Sequence, residues 1–317
     1  MPTTIKNILV GKARDPMDPR IFHAVSLAAF LAWVGLGADG LSSSAYGPEE
    51  AFKALGSHAY LAVWLAILTA LTVCIISLAY SKVIELFPAG GGGYLVATKL
   101  LGPRLGLVSG CALVVDYVLT ISISIASGCD QIFSLLPPSW QRWKFGAAIL
   151  IAAFLIILNL RGLKESIQFL VPIFLLFLGT HVLLIGTTLV GHLVHLPSIF
   201  TAAAHEAGST AGALGWLPLL LIMMRAYSLG GGTYTGIEAV SNSVQVLREP
   251  RVHNAKRTML YMAVSLSFTA GGIILGYLLV GARPMPGRTM NAIYAQSVFG
   301  GWEFAGVRLG PVLVALT

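Results

Sequence analysis

Leu36-Gly37-Ala38-Asp39-Gly40-Leu41-Ser42-Ser43-Ser44-Ala45-Tyr46-Gly47-Pro48 interrupts an apolar block that begins at Ala24. A glycine costs about 1 kcal/mol in a helix interior, so this cluster predicts local unwinding, centred on Gly37–Gly40, inside a membrane-length segment. A second interruption follows Met224: Arg225-Ala226-Tyr227-Ser228-Leu229-Gly230-Gly231-Gly232-Thr233-Tyr234-Thr235-Gly236-Ile237-Glu238. Unwound backbone persists at membrane depth only where it is buried in protein or lines a cavity. Broken segments at corresponding places in two halves point to a transporter's midplane site. Close helix packing alone accounts for Gly35 and Gly37; it does not account for an Asp or a Glu at the break.

Apolar windows of about 20 residues predict spans at about 24–54, 57–80, 104–133, 145–160, 166–191, 214–246 and 258–281, with an eighth from about 303. Spans 1 and 6 are the interrupted ones, and their separation by five fits an inverted five-helix repeat. The expected organisation is a 1–23 tail, a first repeat at 24–191, an extracellular connection at 192–213 and an incomplete second repeat at 214–317. The sequence closes at Thr317 inside the last apolar block, which reads as a fragment or a truncated product. The tail and apolar run at the N-terminus lack a cleavage pattern and read as an uncleaved first helix.

Composition agrees with a membrane protein. Hydrophobic residues make up 56% and charged residues 10% of the 317, against about 25% charged in soluble domains. The net charge of +7 comes from residues flanking apolar blocks, and no basic stripe for nucleic acid exists. Lys6, Lys12, Arg14, Arg20, Lys82, Lys99, Arg104, Arg161, Lys164, Arg248, Arg251, Lys256 and Arg257 fall on one side of this topology. Lys53, Arg142, Lys144, Arg283 and Arg288 fall on the other. The positive-inside rule then places the N-terminus in the cytoplasm, with the inner membrane of a bacterium as the expected location. Cys74, Cys111 and Cys129 lie in or at the end of apolar blocks without metal-ligand spacing; they read as small buried hydrophobes, with no disulfide framework.

Four charged residues inside spans are the candidates that matter: Asp39, Asp116, Arg225 and Glu238. Intramembrane charges are expensive, about 2.5–3.5 kcal/mol for a central Asp, and mark ion pathways or paired sites. Asp116, Thr120 and Ser124 recur every four residues and share a helix face. With Asp39, Tyr46, Thr235 and Glu238 they supply carboxylate and hydroxyl oxygens, the ligands of a dehydrated hard cation. Alternatives stay open. Asp39 suits an N-cap of the second half-helix, Glu238 suits a structural pair with Arg225, and the hydroxyls suit bonds to their own helix. His181 reads as a packing residue. Gly90–Gly93 lacks the Gly-Lys-Ser/Thr ending of a phosphate loop. No Ser/His/Asp order, HExxH or paired CxxC supports an enzyme, and no cofactor is expected.

The runs Ala38-Asp39-Gly40-Leu41-Ser42-Ser43-Ser44-Ala45-Tyr46-Gly47-Pro48-Glu49 and Thr235-Gly236-Ile237-Glu238-Ala239-Val240-Ser241-Asn242 resemble the amino acid–polyamine–organocation (APC) superfamily. So do Phe87-Pro88-Ala89-Gly90-Gly91-Gly92-Gly93-Tyr94, Val115-Asp116-Tyr117-Val118-Leu119-Thr120 and the segment Leu158 to Ser166. Within the superfamily the resemblance is to KimA-type bacterial potassium importers. It implies an all-α LeuT-like membrane fold with inverted five-helix repeats, discontinuous helices 1 and 6, and a second repeat that is incomplete here. It also implies proton-coupled potassium import by alternating access. Asp39, Tyr46, Asp116, Tyr117, Thr120, Ser124 and Thr235 then match cation-pathway positions, and Glu238 a carboxylate of ion binding or proton coupling. The implied partners are potassium, protons and the lipid bilayer, with a homodimer among the expected assemblies. Two other readings stand beside this one: an amino-acid permease on the same fold, and a truncated membrane protein that does not transport. Asp39 in the first break would repel a substrate carboxylate, which favours a bare cation over an amino acid.

Overall fold

The computed structural model describes residues 26–161, 163–304 and 307–317; the 1–23 tail lies outside them. The chain is an all-α membrane protein with one two-residue hairpin, Glu303–Phe304 against Val307–Arg308. The first interrupted segment is α1 (Ala29–Ser42), a 3₁₀ turn over Ser43–Ala45, and α2 (Gly47–Ala54). Then come α3 (Ala62–Leu86), α4 (Gly92–Leu100), α5 (Pro103–Ser134), α6 (Lys144–Arg161) and α7 (Leu163–Gly191). After α8 (Leu196–Leu214), the second interrupted segment runs through α9 (Trp216–Leu229), a 3₁₀ stretch over Gly230–Tyr234 and α10 (Ala239–Asn242). The remainder is α11 (Arg251–Leu279), α12 (Met290–Phe299) and α13 (Gly310–Leu316).

Five continuous stretches among the described residues are long and apolar enough to span a membrane: Ala59–Leu86, Pro103–Ser134, Pro138–Leu160, Ser166–Gly191 and Arg251–Leu279. Three helices lie where the hydropathy pattern gives none. The 192–213 connection contains α8, the segment after span 2 contains α4, and the segment after span 7 contains α12. α4 and α12 are shorter than a membrane crossing at 1.5 Å per residue, and the 19-residue α8 is too polar for an apolar window. The eighth span expected from about 303 is the hairpin followed by the short α13.

The two interrupted segments lie antiparallel. α2 packs against α9 and the 3₁₀ stretch after it, while α10 packs against α1. The start of each segment therefore meets the end of the other. A short parallel pairing of Leu27 with Leu247 fastens one end, with Leu27 N donating to Val246 O (2.9 Å) and Arg248 N to Leu27 O (2.9 Å). The long helices α3 and α11 cross beside this pair, and α11 also packs on α1 and α7. Leu41, Val73, Ile237, Val240, Met262 and Leu266 fill the core on one side of the breaks. Phe52, Leu65, Ile273, Tyr277 and Tyr294 fill it on the other. α6 and the outer face of α5 carry exposed apolar side chains, the expected surface of a protein solvated by lipid.

Two glycines permit the close approach. A Cβ on Gly47 would lie 2.8 Å from Thr233 N and 3.0 Å from its Cα. Gly236 has φ +82°, and a Cβ there would lie 2.7 Å from both Asp39 Cγ and Gly40 N. Of the cysteines, Cys129 is buried as expected, whereas Cys74 and Cys111 are exposed; Cys74 lies 3.6 Å from Ser267 Oγ of α11. All three are free. His181 packs as expected: it is buried, its Nδ1 lies 2.9 Å from Phe177 O and its ring lies 4.0 Å from that of Phe177.

Overpacking a filled contact typically costs about 1–3 kcal/mol. Gly47→Ala is expected to lower the melting temperature of the detergent-purified protein, whereas Gly128→Ala, where nothing lies within 4 Å of the added Cβ, leaves it near the parent. Equal melting temperatures for the two variants would contradict the packing of the breaks.

Candidate functional site at the paired helix breaks

Helical geometry carries α1 past Gly37 and Gly40 and fails only at Ser43–Tyr46, where Tyr46 takes φ −127°. Asp39 therefore stands in the last turn of α1, not in unwound backbone. Gly37 and Gly40 are close-packing positions facing Trp33 and Met262, and the hydroxyl run is what unwinds. Three consecutive serines compete for carbonyls: Ser42 Oγ donates to Asp39 O (2.8 Å), Ser44 Oγ to Leu41 O (2.7 Å) and Ser43 Oγ to Thr233 O across the breaks (2.7 Å). Ser43 Oγ also touches Gly40 O. The N-cap of α2 is Tyr46, which removes Asp39 from the capping role.

The second break is sharper. Thr235 is extended (φ −66°, ψ 146°), Gly236 is left-handed, and the helix resumes only at Ala239. The Tyr46 hydroxyl lies 3.4 Å from Thr235 Oγ1 and also meets Ser124. Thr235 Oγ1 donates to Gly232 O (2.9 Å), so this hydroxyl serves its own backbone and the site together. Ser124 Oγ lies 3.5 Å from Ser42 Oγ.

α5 contributes the third wall. Its Val115, Val118, Leu119 and Ile121 are exposed, whereas Thr120 is 4% exposed and Asp116, Tyr117 and Ser124 are half-buried. The polar stripe turns inward and the apolar residues turn outward, the reverse of a soluble helix. Asp116, Asp39 and Glu238 come within electrostatic reach of one another. Tyr117 stands to one side, where its hydroxyl accepts from Asn242 Nδ2 (2.7 Å). The structure thus gathers Asp39, Tyr46, Asp116, Ser124, Thr235 and Glu238 around the breaks, with Tyr117 at the edge and Thr120 on the same face of α5.

Arg225 is exposed and makes no ion pair with Glu238, so the structural pair considered for these residues is not formed. Among the described residues, no three His, Cys, Asp or Glu side chains converge as a metal-ion centre. The oxygens instead lie in sequence along the breaks.

Three supporting residues escape a reading of the spans. Glu49 is buried, pairs with Lys53 and accepts from Met290 N (3.1 Å). Asn291 Nδ2 donates to Ala45 O (3.1 Å), satisfying a carbonyl freed by the first break, and its Oδ1 accepts from Tyr277. Met290 and Asn291 open the short α12, so hydropathy carried no signal for them. A groove of about 1330 Å³ between α3 and α11 lies away from this site and is lined by Leu78, Lys82, Lys256 and Leu260 among others.

A family model described as amino acid permease matches residues 26–317. The chain belongs to the amino acid permease family. It is 33% identical over 302 residues to the potassium transporter KimA of Bacillus subtilis, an alignment covering 94% of this chain and 48% of KimA. A shorter match, 32% identity over 93 residues, is to the low-affinity putrescine importer PlaP of Escherichia coli; it covers 29% of this chain and 20% of PlaP. The chain thus spans about half the length of KimA and less of PlaP. Membership of this family places the chain among multi-pass membrane permeases, not enzymes.

Removing the Ser43 hydroxyl takes the cross-break donor from Thr233 O, a loss of about 1–3 kcal/mol for a buried acceptor left unpaired. Ser43→Ala is expected to lower the melting temperature, while Ser122→Ala, on the exposed face of α5, does not.

Proposed function

We propose that the chain carries the cation site of a proton-coupled potassium importer working by alternating access. The observation that supports this best is the paired breaks themselves. Their side chains present carboxylate and hydroxyl oxygens at Asp39, Tyr46, Asp116, Ser124 and Thr235, with no cationic side chain among them. A dehydrated K⁺ takes such oxygens in place of its hydration shell, and unwound carbonyls complete the set. Tyr117 and Thr120 extend the pathway along α5. Glu238, on the far side of Gly236, exchanges a proton as the site turns between the two faces of the membrane. The antiparallel breaks favour the inverted-repeat arrangement, residues 24–191 against an incomplete 214–317, with 192–213 on the extracellular side and the N-terminus in the cytoplasm. The bacterial inner membrane is the corresponding location.

Organic cations are the second reading. The acidic character of the breaks suits an amine as well as K⁺, and the match to a putrescine importer falls in this family. An amino-acid zwitterion fits less well, since Asp39 stands where its carboxylate would meet the breaks.

Expression in a bacterium lacking its own potassium uptake, at limiting potassium, tests the assignment. The parent is expected to restore growth and K⁺ uptake, and Asp39→Asn and Asp116→Asn to reduce uptake at least tenfold at unchanged membrane levels, as loss of about 1.4 kcal/mol or more of ion binding requires. Putrescine uptake without K⁺ uptake would transfer the site to organic amines. Uptake that survives both substitutions would sink the site. Glu238→Gln, lacking a group that ionises, is expected to leave residual uptake insensitive to a protonophore, whereas the parent's uptake collapses with the proton gradient.

A further inference from the structure

The groove between α3 and α11 lies outside the paired breaks and carries a charge pattern of its own. Leu78 and Lys82 stand four residues apart on α3, and Lys256, Leu260, Val264 and Phe268 recur every four residues on α11. Such spacing puts each set on one helix face, and both faces line the groove. Lys256 pairs with Glu85 at one end, while Ser267 Oγ donates to Ala70 O (3.3 Å) toward the other. The helices are therefore antiparallel, and Lys82 and Lys256 stand at the same end.

Away from that end the groove is apolar and bare: Leu78 is 68%, Leu260 60% and Val264 63% exposed. Bare apolar faces alone mark only lipid contact, as on α6. The basic end sets this groove apart. Lys82, Lys256, Arg257 and His253 line it together with one carboxylate, Glu85. Glu85 pairs with both lysines, with Lys82 at 3.0 Å, and so holds the two ammonium groups over the seam between the helices. Arg257 donates to Tyr261 OH (3.0 Å) and pairs with no carboxylate among the described residues. Lys82, Lys256 and Arg257 against Glu85 leave an excess of positive charge. A smaller groove of about 260 Å³ shares Ser267 and Phe268 but has no charged residue in its lining; it offers a headgroup nothing to bind.

The dimensions suit one leaflet. From Lys256 to Phe268, α11 rises about 18 Å at 1.5 Å per residue, close to the half-thickness of about 15 Å of a bilayer's hydrocarbon core. Basic pockets between membrane helices on the cytoplasmic side recognise anionic lipid headgroups, and Lys82 and Lys256 belong to the face that carries the basic loops. We propose that this groove binds an anionic phospholipid, its phosphate at Lys82, Lys256 and Arg257 and an acyl chain along Leu78, Leu260 and Val264. The bound lipid braces α3 against α11, the two helices that cross beside the breaks. The site stands whatever cargo the breaks carry.

The test is thermal stabilisation of the delipidated, detergent-purified protein, titrated with phosphatidylglycerol, phosphatidylethanolamine and inorganic phosphate. A photoactivatable phosphatidylglycerol maps where the lipid sits. Phosphatidylglycerol is expected to raise the melting temperature well beyond the other two, with cross-links on α3 and α11. Replacing both Lys256→Gln and Arg257→Gln is expected to raise the half-saturating phosphatidylglycerol concentration about tenfold or more. Lys99→Gln, basic and on the same membrane face but outside the groove, is expected to match the parent. Leu260→Trp, which fills the apolar stripe and keeps every basic residue, is expected to weaken binding as well; it decides the matter if the double variant melts early without lipid. Equal stabilisation by phosphatidylethanolamine would overturn recognition of an anionic headgroup, and full stabilisation by phosphate alone would overturn the lipid. Cross-links elsewhere, or a dimer in solution that buries this face and excludes the lipid, would overturn the site.

Discussion

The contact on which the rest depends is the one between two pieces of unwound backbone: Gly47 against Thr233 and Gly236 against Asp39 and Gly40. Each break frees polar groups that cannot remain bare in a membrane interior. Neither break is satisfied by its own segment alone. Ser43 donates to a carbonyl of the second break, and Asn291, from outside both segments, donates to a carbonyl of the first. The breaks therefore exist as a pair, and the fold around them is arranged to bring that pair together. The crossing of α3 and α11, the Leu27–Leu247 pairing and the two core clusters all converge on the segment ends.

This mutual dependence explains the inside-out character of α5. Its apolar side chains are exposed in this chain, and the inward face carries Asp116, Thr120 and Ser124. In a soluble protein the same helix would bury its valines and leucines and lose the polar wall.

The spans and both breaks were legible in the sequence because membrane helices obey a length rule and glycine clusters oppose it. The inward face of α5 was legible too, since a four-residue spacing survives any packing arrangement. Less legible was where helix 1 fails. Glycines at 37 and 40 pointed to the wrong turn, because a helix in lipid has no water to unwind into and tolerates glycine. The serines at 42–44 unwind it by competing for carbonyls. Arg225 and Glu238 carry opposite charges and sit near one break, which suggested a pair; the direction of α9 turns Arg225 outward, and sequence spacing does not encode that rotation. The short helices α4 and α12 fell below the length that hydropathy detects, the 19-residue α8 is too polar for it, and with α12 went Met290 and Asn291.

Asp39, Asp116 and Glu238 approach one another without an ion-paired base among the described residues. In a low-dielectric setting, carboxylates so placed repel, and their repulsion is relieved by a cation or by a proton. Three carboxylates can take both at once. Under the proposed function Glu238 takes the proton while Asp39 and Asp116 keep their charge for K⁺, so the two cations cross together. A basic residue turned into the cluster would neutralise it permanently and displace one of them. The outward rotation of Arg225 is accordingly the feature that leaves the charge of the breaks open to exchange.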